Sequence, residues 1–172
     1  MARPITPEIP AYYQGYIDLV PENDIFLALD NSREELKEFL SGIHSSKAAY
    51  AYAPGKWTVA QVLQHSIDAE RIFAYRALRI ARGDKTPLPG WEENDYAAQA
   101  TASHRTIAEL VEEILCVRKA NTLLLVSFTD DCWEKTGTAN GSPMDVLTIA
   151  YLIVGHMRHH IKILRERYEI LP

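Results

Sequence analysis

Apolar residues recur every three or four positions along four segments of this chain, the spacing that puts them on one face of an α-helix. The pattern predicts helices over residues 24–41, 58–82, 103–127 and 142–168. No stretch between these segments shows the alternation expected of a convincing strand. Because each helix has one apolar stripe to bury, the sequence predicts an all-α fold in which four helices pack together as a bundle.

Two of the predicted helices carry recognisable start signals. Thr58 is followed three residues later by Gln61, the capping-box pattern in which each side chain satisfies a backbone N–H at the helix start. For the last helix we expect Ser142 as the N-cap, Pro143 in the first helical position and Asp145 completing the cap. These signals set the predicted starts of the second and fourth helices.

The remaining segments are predicted from their proline content and length. Residues 1–21 are rich in proline and tyrosine and show no helical period, so we expect an extended N-terminal arm against a bundle of residues 22–170. Residues 84–100 form a longer connection than usual and are candidates for a lid, a groove wall or a dimer contact.

The tyrosines of the arm and Trp91 need apolar cover, which predicts a homodimer. The length suits a single domain, 1–172.

Composition excludes several classes of protein. With 47% hydrophobic and 24% charged residues, the chain is typical of a soluble globular protein. Its net charge of -5 opposes a nucleic-acid surface, which needs clustered Lys and Arg. There is no apolar signal segment and no run of the ~18 apolar residues that a membrane span needs, so we expect a cytoplasmic protein with no membrane partner. Cys116 and Cys132 lack the spacing of a disulfide framework or a thiolate zinc site.

Histidines interrupt the apolar seam of the last predicted helix. The steps of three and four residues that trace this seam reach His156 and His160, whose neighbours on the same face are mainly aliphatic. Imidazoles at i and i+4 can chelate one ion, and His65 falls on the inward stripe of the second helix as the natural third ligand. We therefore predict that His65, His156 and His160 hold one divalent metal ion, with a structural hydrogen-bond network of the three as the alternative.

The predicted ligand set differs from two well-known histidine sites. Met157 follows His156, so the HExxH pattern of a zinc protease is absent, and no histidine has the Glu three positions earlier that a ferritin-like di-iron site needs. His159 lies about 100° round the helix from His160 and is expected outside the ligand set. Three nitrogen ligands leave an open coordination position, which is typical of catalytic sites. Imidazole suits several metals, so the ligands alone do not select one.

Two stretches of the sequence resemble a known family. Residues 56–84, KWTVAQVLQHSIDAERIFAYRALRIARGD, and residues 155–168, GHMRHHIKILRERY, are similar to the DinB/YfiT-like superfamily of metal-binding four-helix bundles. The resemblance covers nearly the whole chain and implies that His65, His156 and His160 bind a divalent ion, commonly nickel or zinc. Members of this superfamily include metal-dependent thiol transferases and a thiol-cofactor-dependent isomerase, so the resemblance also implies a low-molecular-weight thiol as a candidate cosubstrate.

The leading functional hypothesis is a divalent-metal-dependent enzyme, a hydrolase or a thiol transferase. In it the ion activates water or a small thiol for attack on an electrophilic small molecule. The alternative is a noncatalytic bundle whose ion adds stability or senses metal supply. Asp68, Glu70 and Glu134 are candidate proton carriers, although solvation at the surface explains each at least as well, and the sequence identifies no catalytic residue. The segment 84–100 is a candidate lid over the open coordination position.

Overall fold

The structure is a computed structural model, and it describes residues 9–100 and 102–170. Over these residues it contains seven α-helices, two short β-strands and two single 3-10 turns. The helices are α1 (Ala11–Ile17), α2 (Ile25–Ser41), α3 (Val59–Ala81), α4 (Glu93–Gln99), α5 (Ile107–Val126), α6 (Asp130–Trp133) and α7 (Val146–Glu166); the strands are β1 (Thr136–Ala139) and β2 (Ser142–Asp145), and the turns are Ser45–Lys47 and Ala102–His104.

The four long helices α2, α3, α5 and α7 form the bundle. Both α3 and α2 pack against α5 and α7, so the predicted all-α four-helix bundle is confirmed. The ends of α2 and α3 lie within one residue of the predicted ones. α5 begins later than predicted, because Thr106 and Glu109 form a second capping box that fixes its start. None of the helices in the described part of the chain has both the length and the apolar character that a membrane span needs.

The buried apolar side chains form two clusters at opposite ends of the bundle. On α3 the change from one cluster to the other falls between Ile67 and Ala69, and on α7 it falls between Val154 and Met157. The clusters also show that α2 and α7 run in one direction and α3 and α5 in the other. Most of the buried polar side chains lie where the clusters meet: Ser32, His65, Ser66, Glu70, Arg118, Asn121, His156 and His160.

The N-terminal segment corrects the prediction of an extended arm, because residues 11–17 form the helix α1. Tyr13 and Ile17 are one helical turn apart and are both buried, and α1 packs on α7. Pro10 precedes the first helical residue, where its missing N–H breaks no helical hydrogen bond, and its carbonyl accepts the N–H of Tyr13 at 2.9 Å. A stripe of two residues is too short to be recognised as a helical period. Residues 1–8, the rest of the predicted arm, lie outside the described residues.

The start of the fourth long helix also corrects the prediction. Ser142 and Pro143 belong to β2, which pairs antiparallel with β1, so they are not the N-cap and first helical residue. α7 begins at Val146, and Asp145 caps it by accepting the N–H of Thr148 at 2.6 Å. The strands have four residues each, too few for their alternation to stand out in the sequence.

The connections between the long helices contain more regular structure than the sequence predicts. Asn140 and Gly141 join β1 to β2 with φ angles of 52° and 73°, the left-handed conformation of a tight hairpin turn. The connection 84–100 contains α4 and is therefore not a simple loop. It is also tied to β1, because the N–H of Leu88 donates to the carbonyl of Thr138 at 2.9 Å. These contacts hold the connection against the end of the bundle.

Candidate metal centre

α3 carries His65 into the bundle interior. The predicted capping box is present at its start, since Thr58 Oγ1 accepts the N–H of Gln61 at 3.2 Å and Gln61 Oε1 accepts the N–H of Thr58 at 2.9 Å. His65 is buried, and the ring of Trp57 lies 4.9 Å from its ring. The helix start that the sequence encodes therefore also fixes the position of this histidine.

α7 brings two further histidines to the same place. His156 and His160 are one turn apart and are both buried. Nε2 of His156 lies 3.1 Å from Nε2 of His65 and 3.1 Å from Nε2 of His160. Ligand-capable atoms of the three side chains all lie within 4.8 Å of one another. The structure thus brings together the three histidines that the sequence singles out.

The three imidazoles are neutral near pH 7. Burial lowers the pKa of His65 to about 4 and holds the pKa of His156 and of His160 well below the ordinary histidine value. Neighbouring histidines lower each of these pKa values further, because a positive charge on one ring disfavours a second charge beside it. Each neutral ring keeps one nitrogen lone pair that can bind a metal.

Hydrogen bonds among the three histidines cannot satisfy all of their ring nitrogens. A neutral imidazole has one donor and one acceptor nitrogen, so Nε2 of His156 can complete a good hydrogen bond with only one of its two neighbours. Within the described part of the chain, Nδ1 of His160 is buried without a hydrogen-bond partner, and no carboxylate or thiol joins the group. A divalent ion with bonds of about 2.1 Å to tetrahedrally arranged ligands separates the ligand nitrogens by about 3.4 Å, close to the two Nε2–Nε2 distances of 3.1 Å. The donor set fits a divalent metal ion.

A cavity of about 260 Å³ leads to the histidine group. It is lined by His160, Trp57 and Tyr168, among others, and by Asn94 from α4. The connection 84–100 therefore contributes Asn94 to the lining of this cavity. A small molecule that enters the cavity would meet His160 directly.

Aromatic rings cover the histidine group on its other sides. The ring of Tyr16 lies 5.3 Å from His156 and 5.1 Å from His159, and the ring of Phe73 lies 5.6 Å from His156. His159 is half-buried beside His160, with a ring distance of 5.2 Å, and is not one of the three histidines that converge. The sequence analysis missed Tyr16 because this residue reaches the histidines only through the unpredicted helix α1.

None of the three candidate proton carriers joins the histidine group in the described structure. Glu70 is held by Arg118 through two contacts, Nε–Oε1 at 2.6 Å and Nη2–Oε2 at 3.1 Å, and Arg118 also donates to Ser32 Oγ at 2.7 Å. Asp68 lines a different cavity of about 610 Å³, and burial raises its pKa. Glu134 is exposed at the end of α6. The role of Glu70 is therefore to balance a buried charge, which the sequence analysis did not foresee.

The fold and the site define a class of protein, a helical bundle with a buried three-histidine group shared between two of its helices. The chain belongs to the DinB superfamily, whose sequence profile matches residues 28–164. That match covers α3, α5 and both histidines of α7.

Comparison with individual proteins agrees with this assignment. A protein of Geobacillus thermodenitrificans (strain NG80-2) named "Putative metal-dependent hydrolase" is 31% identical over 143 residues, which cover 78% of each chain. A protein of Geobacillus kaustophilus (strain HTA426) with the same description is 28% identical over 130 residues, which cover 73% of this chain and 72% of the relative. The solved structure of YfiT from Bacillus subtilis, described as "a probable metal-dependent hydrolase with an unusual four-helix bundle topology", has the same fold. It matches with a TM-score of 0.70 at 18% identity and covers 98% of this chain and 91% of its own.

Proposed function

We propose that His65, His156 and His160 hold one divalent metal ion, nickel or zinc, and that the protein is a metal-dependent hydrolase acting on a small molecule. The observation that carries this proposal is the convergence of three neutral, buried imidazoles, with two Nε2–Nε2 distances of 3.1 Å. The names of the two Geobacillus relatives support the reaction class. We further propose that residues 1–172 act as one domain and that no nucleic acid is a partner, in keeping with the net charge of -5.

The ion, when bound, would lower the pKa of a coordinated water and stabilise negative charge that develops on the substrate. Neutral imidazole ligands leave the full charge of the ion available for this task. The chain itself would exclude bulk water, because Trp57 and Phe73 pack on the ligand rings. The cavity beside His160 would admit the substrate, and Asn94 offers an amide on its wall that can hydrogen-bond to the bound molecule.

A low-molecular-weight thiol is the second candidate nucleophile. The same ligand set serves both reactions, because a cation stabilises a thiolate as well as a hydroxide. In hydrolysis the product carries an oxygen atom from water, whereas in thiol transfer the product carries a new carbon–sulfur bond. Mass spectrometry of the products formed in H₂¹⁸O, with and without an added thiol, would distinguish the two reactions.

Metal content tests the ligand assignment. We expect about one nickel or zinc ion per chain in the loaded wild-type protein and a loss of most of it in the His156→Ala/His160→Ala variant, measured by elemental analysis. His104→Ala is the matched control, since His104 is an exposed histidine outside the group, and this variant should stay fully loaded. A fully loaded double variant would rule out the site.

Turnover tests the enzymatic part of the proposal. We expect a panel of activated esters and amides to contain a substrate whose hydrolysis stops when a chelator removes the ion and resumes when the ion is restored. The His65→Ala variant should be inactive on it. If the loaded wild-type protein is no faster than His65→Ala on any ester, amide or thiol–electrophile pair, the noncatalytic metal-binding bundle replaces the hydrolase.

A further inference from the structure

Arg76 on α3 is a charged side chain buried away from the histidine group, with 1% of its surface exposed. Its Nη2 donates to the backbone carbonyl of Pro89 at 2.7 Å, and its guanidinium carbon lies 5.1 Å from the centre of the Trp91 ring. Over residues 9–100 and 102–170, Nη1 has no hydrogen-bond partner and no carboxylate forms an ion pair with Arg76. A buried charge without a counter-charge is costly, so this position calls for an anionic partner.

The other buried arginine of the bundle shows how this fold neutralises a structural charge. Arg118 is held by the carboxylate of Glu70 and by the hydroxyl of Ser32, so its charge is balanced inside the protein. Arg76 has one backbone carbonyl and one aromatic ring in place of these partners. The difference indicates that Arg76 takes its partner from outside the described residues.

A cavity of about 170 Å³ lies beside Arg76 and is also lined by Trp91. Among the described residues, Nε1 of Trp91 is a second buried donor that lacks a hydrogen-bond partner. Much of the remaining wall is apolar and includes Leu88. Tyr75 and Tyr96 also line the cavity and are about half exposed, so the cavity opens to solvent beside these two rings. The cavity thus combines one charged donor, one neutral donor and an apolar surface.

This cavity is separate from the histidine group. No histidine lines it, and the ring of Phe73 lies between the two places, 6.1 Å from Trp91 and 5.6 Å from His156. Phe73 is itself buried. A molecule bound beside Arg76 would therefore not contact the proposed metal ligands.

We propose that this cavity binds the carboxylate of a small organic acid, with Arg76 Nη1 and Trp91 Nε1 both donating to the carboxylate oxygens. A guanidinium matches the planar shape of a carboxylate, and a hydrogen bond to an ionised acceptor is among the strong ones. The apolar wall suits a short hydrocarbon body. The volume is below that of typical drug-sized pockets, so the acid has only a few carbon atoms.

The three tryptophans of the chain allow binding to be located directly. Trp91 lines the Arg76 cavity, Trp57 packs on His65, and Trp133 packs on Phe26. We would titrate the metal-loaded, ¹⁵N-labelled protein with propionate and follow the three indole N–H signals by NMR, after assigning them with Trp→Phe variants. The expected result is a saturable downfield shift of the Trp91 signal alone, and no shift with propionamide, the neutral analogue.

Variants separate the roles of the two donors. Arg76→Gln removes the charge, so the propionate-induced shift should vanish, whereas Arg71→Gln removes a half-exposed arginine of the same helix and should leave it unchanged. Should Arg76→Gln fail to fold, Trp91→Phe provides the test by calorimetry. It removes one hydrogen bond to a charged group, and the affinity for propionate should fall by about tenfold.

Each other outcome would overturn the proposal. A shift of the Trp57 signal without one at Trp91 would mean that the carboxylate binds at the histidine group. An equal response to chloride or phosphate would replace the organic acid by an inorganic anion. Unchanged affinity in Trp91→Phe, or an unchanged Trp91 signal up to the highest propionate concentration, would show that the cavity does not recognise carboxylates.

Discussion

Gly155 of α7 lies so close to the backbone carbonyl of Tyr16 in α1 that a Cβ at position 155 would overlap this oxygen. The obstacle is backbone, so it can move away only if the whole of α1 shifts. We expect Gly155→Ala to lower the free energy of unfolding by about 1 to 3 kcal/mol, as overpacking usually does, measured by urea denaturation. The variant should also move Tyr16 away from His156, whose rings are 5.3 Å apart.

Gly15 supplies the matched control for this prediction. It lies in α1 itself, is exposed, and an added Cβ would meet nothing within 4 Å. Gly15→Ala should therefore stabilise the protein by up to about 1 kcal/mol through its better helix propensity. If Gly155→Ala is as stable as the wild-type protein, α1 does not pack on α7 as the structure has it.

Removing one partner of the buried Glu70–Arg118 ion pair should lower the free energy of unfolding strongly, whereas replacing both partners with apolar residues should lower it much less. Glu70→Gln leaves the guanidinium without a counter-charge and should destabilise the protein by about 3 to 5 kcal/mol in urea denaturation. The double variant Glu70→Leu/Arg118→Met removes both charges and should recover much of this loss. Glu166→Gln, which breaks the exposed contact with Lys162, should change stability by less than about 0.5 kcal/mol. A loss below 1 kcal/mol for Glu70→Gln would contradict the buried pairing.

The pair of Glu22 and Arg158 should make stability depend on acid pH. Hydrogen bonds from Arg158, at 2.7 and 2.8 Å, lower the pKa of Glu22 from 4.5 to about 2. A lowered folded-state pKa stabilises the fold above the unfolded value near 4.5, and this contribution is lost as the pH falls towards 2. We expect Glu22→Gln to cost about 1 to 2 kcal/mol at pH 7, with solvent screening included, and progressively less below pH 4.5. A cost independent of pH between 7 and 2.5 would exclude this linkage.

The homodimer stays a prediction. Trp91 packs on Phe73 within the chain and Tyr13 is buried, so part of the apolar cover that motivated it is intramolecular. Tyr12 of α1 is still about half exposed. Light scattering should give twice the chain mass of 19.5 kDa, and Tyr12→Ser should lower it towards one chain. A mass of one chain at tens of micromolar wild-type protein would exclude the dimer.

Helix ends could be predicted where local side chains determine them. Thr58 and Gln61 mark the start of α3 in both sequence and structure. Ser142 and Pro143 gave the wrong start for α7, because the same residue types also suit a strand next to a hairpin, and pairing with β1 decides between the two. The Asn140–Gly141 pair was the available signal for that hairpin.

Contacts between helices could be predicted only in part. His156 and His160 share a face because of their spacing, so their proximity follows from helix geometry alone. The pairing of Glu70 with Arg118 depends on how α3 and α5 are rotated against each other, which neither helix encodes by itself. Glu70 therefore looked like a solvated carboxylate in the sequence. For a long charged side chain such as that of Glu70, the packing of one helix on another therefore decides whether the charge is solvated or forms a buried ion pair.

The histidine group also depends on the order in which the chain is made. His65 and His156 are 91 positions apart, yet their Nε2 atoms lie 3.1 Å from each other. During synthesis, α3 leaves the ribosome long before α7. Until α7 follows, the growing chain contains only His65 of the three histidines. The complete group exists only after the last long helix has docked against the others. A nascent or truncated chain that lacks α7 therefore cannot present the three-nitrogen site, whatever it has already folded.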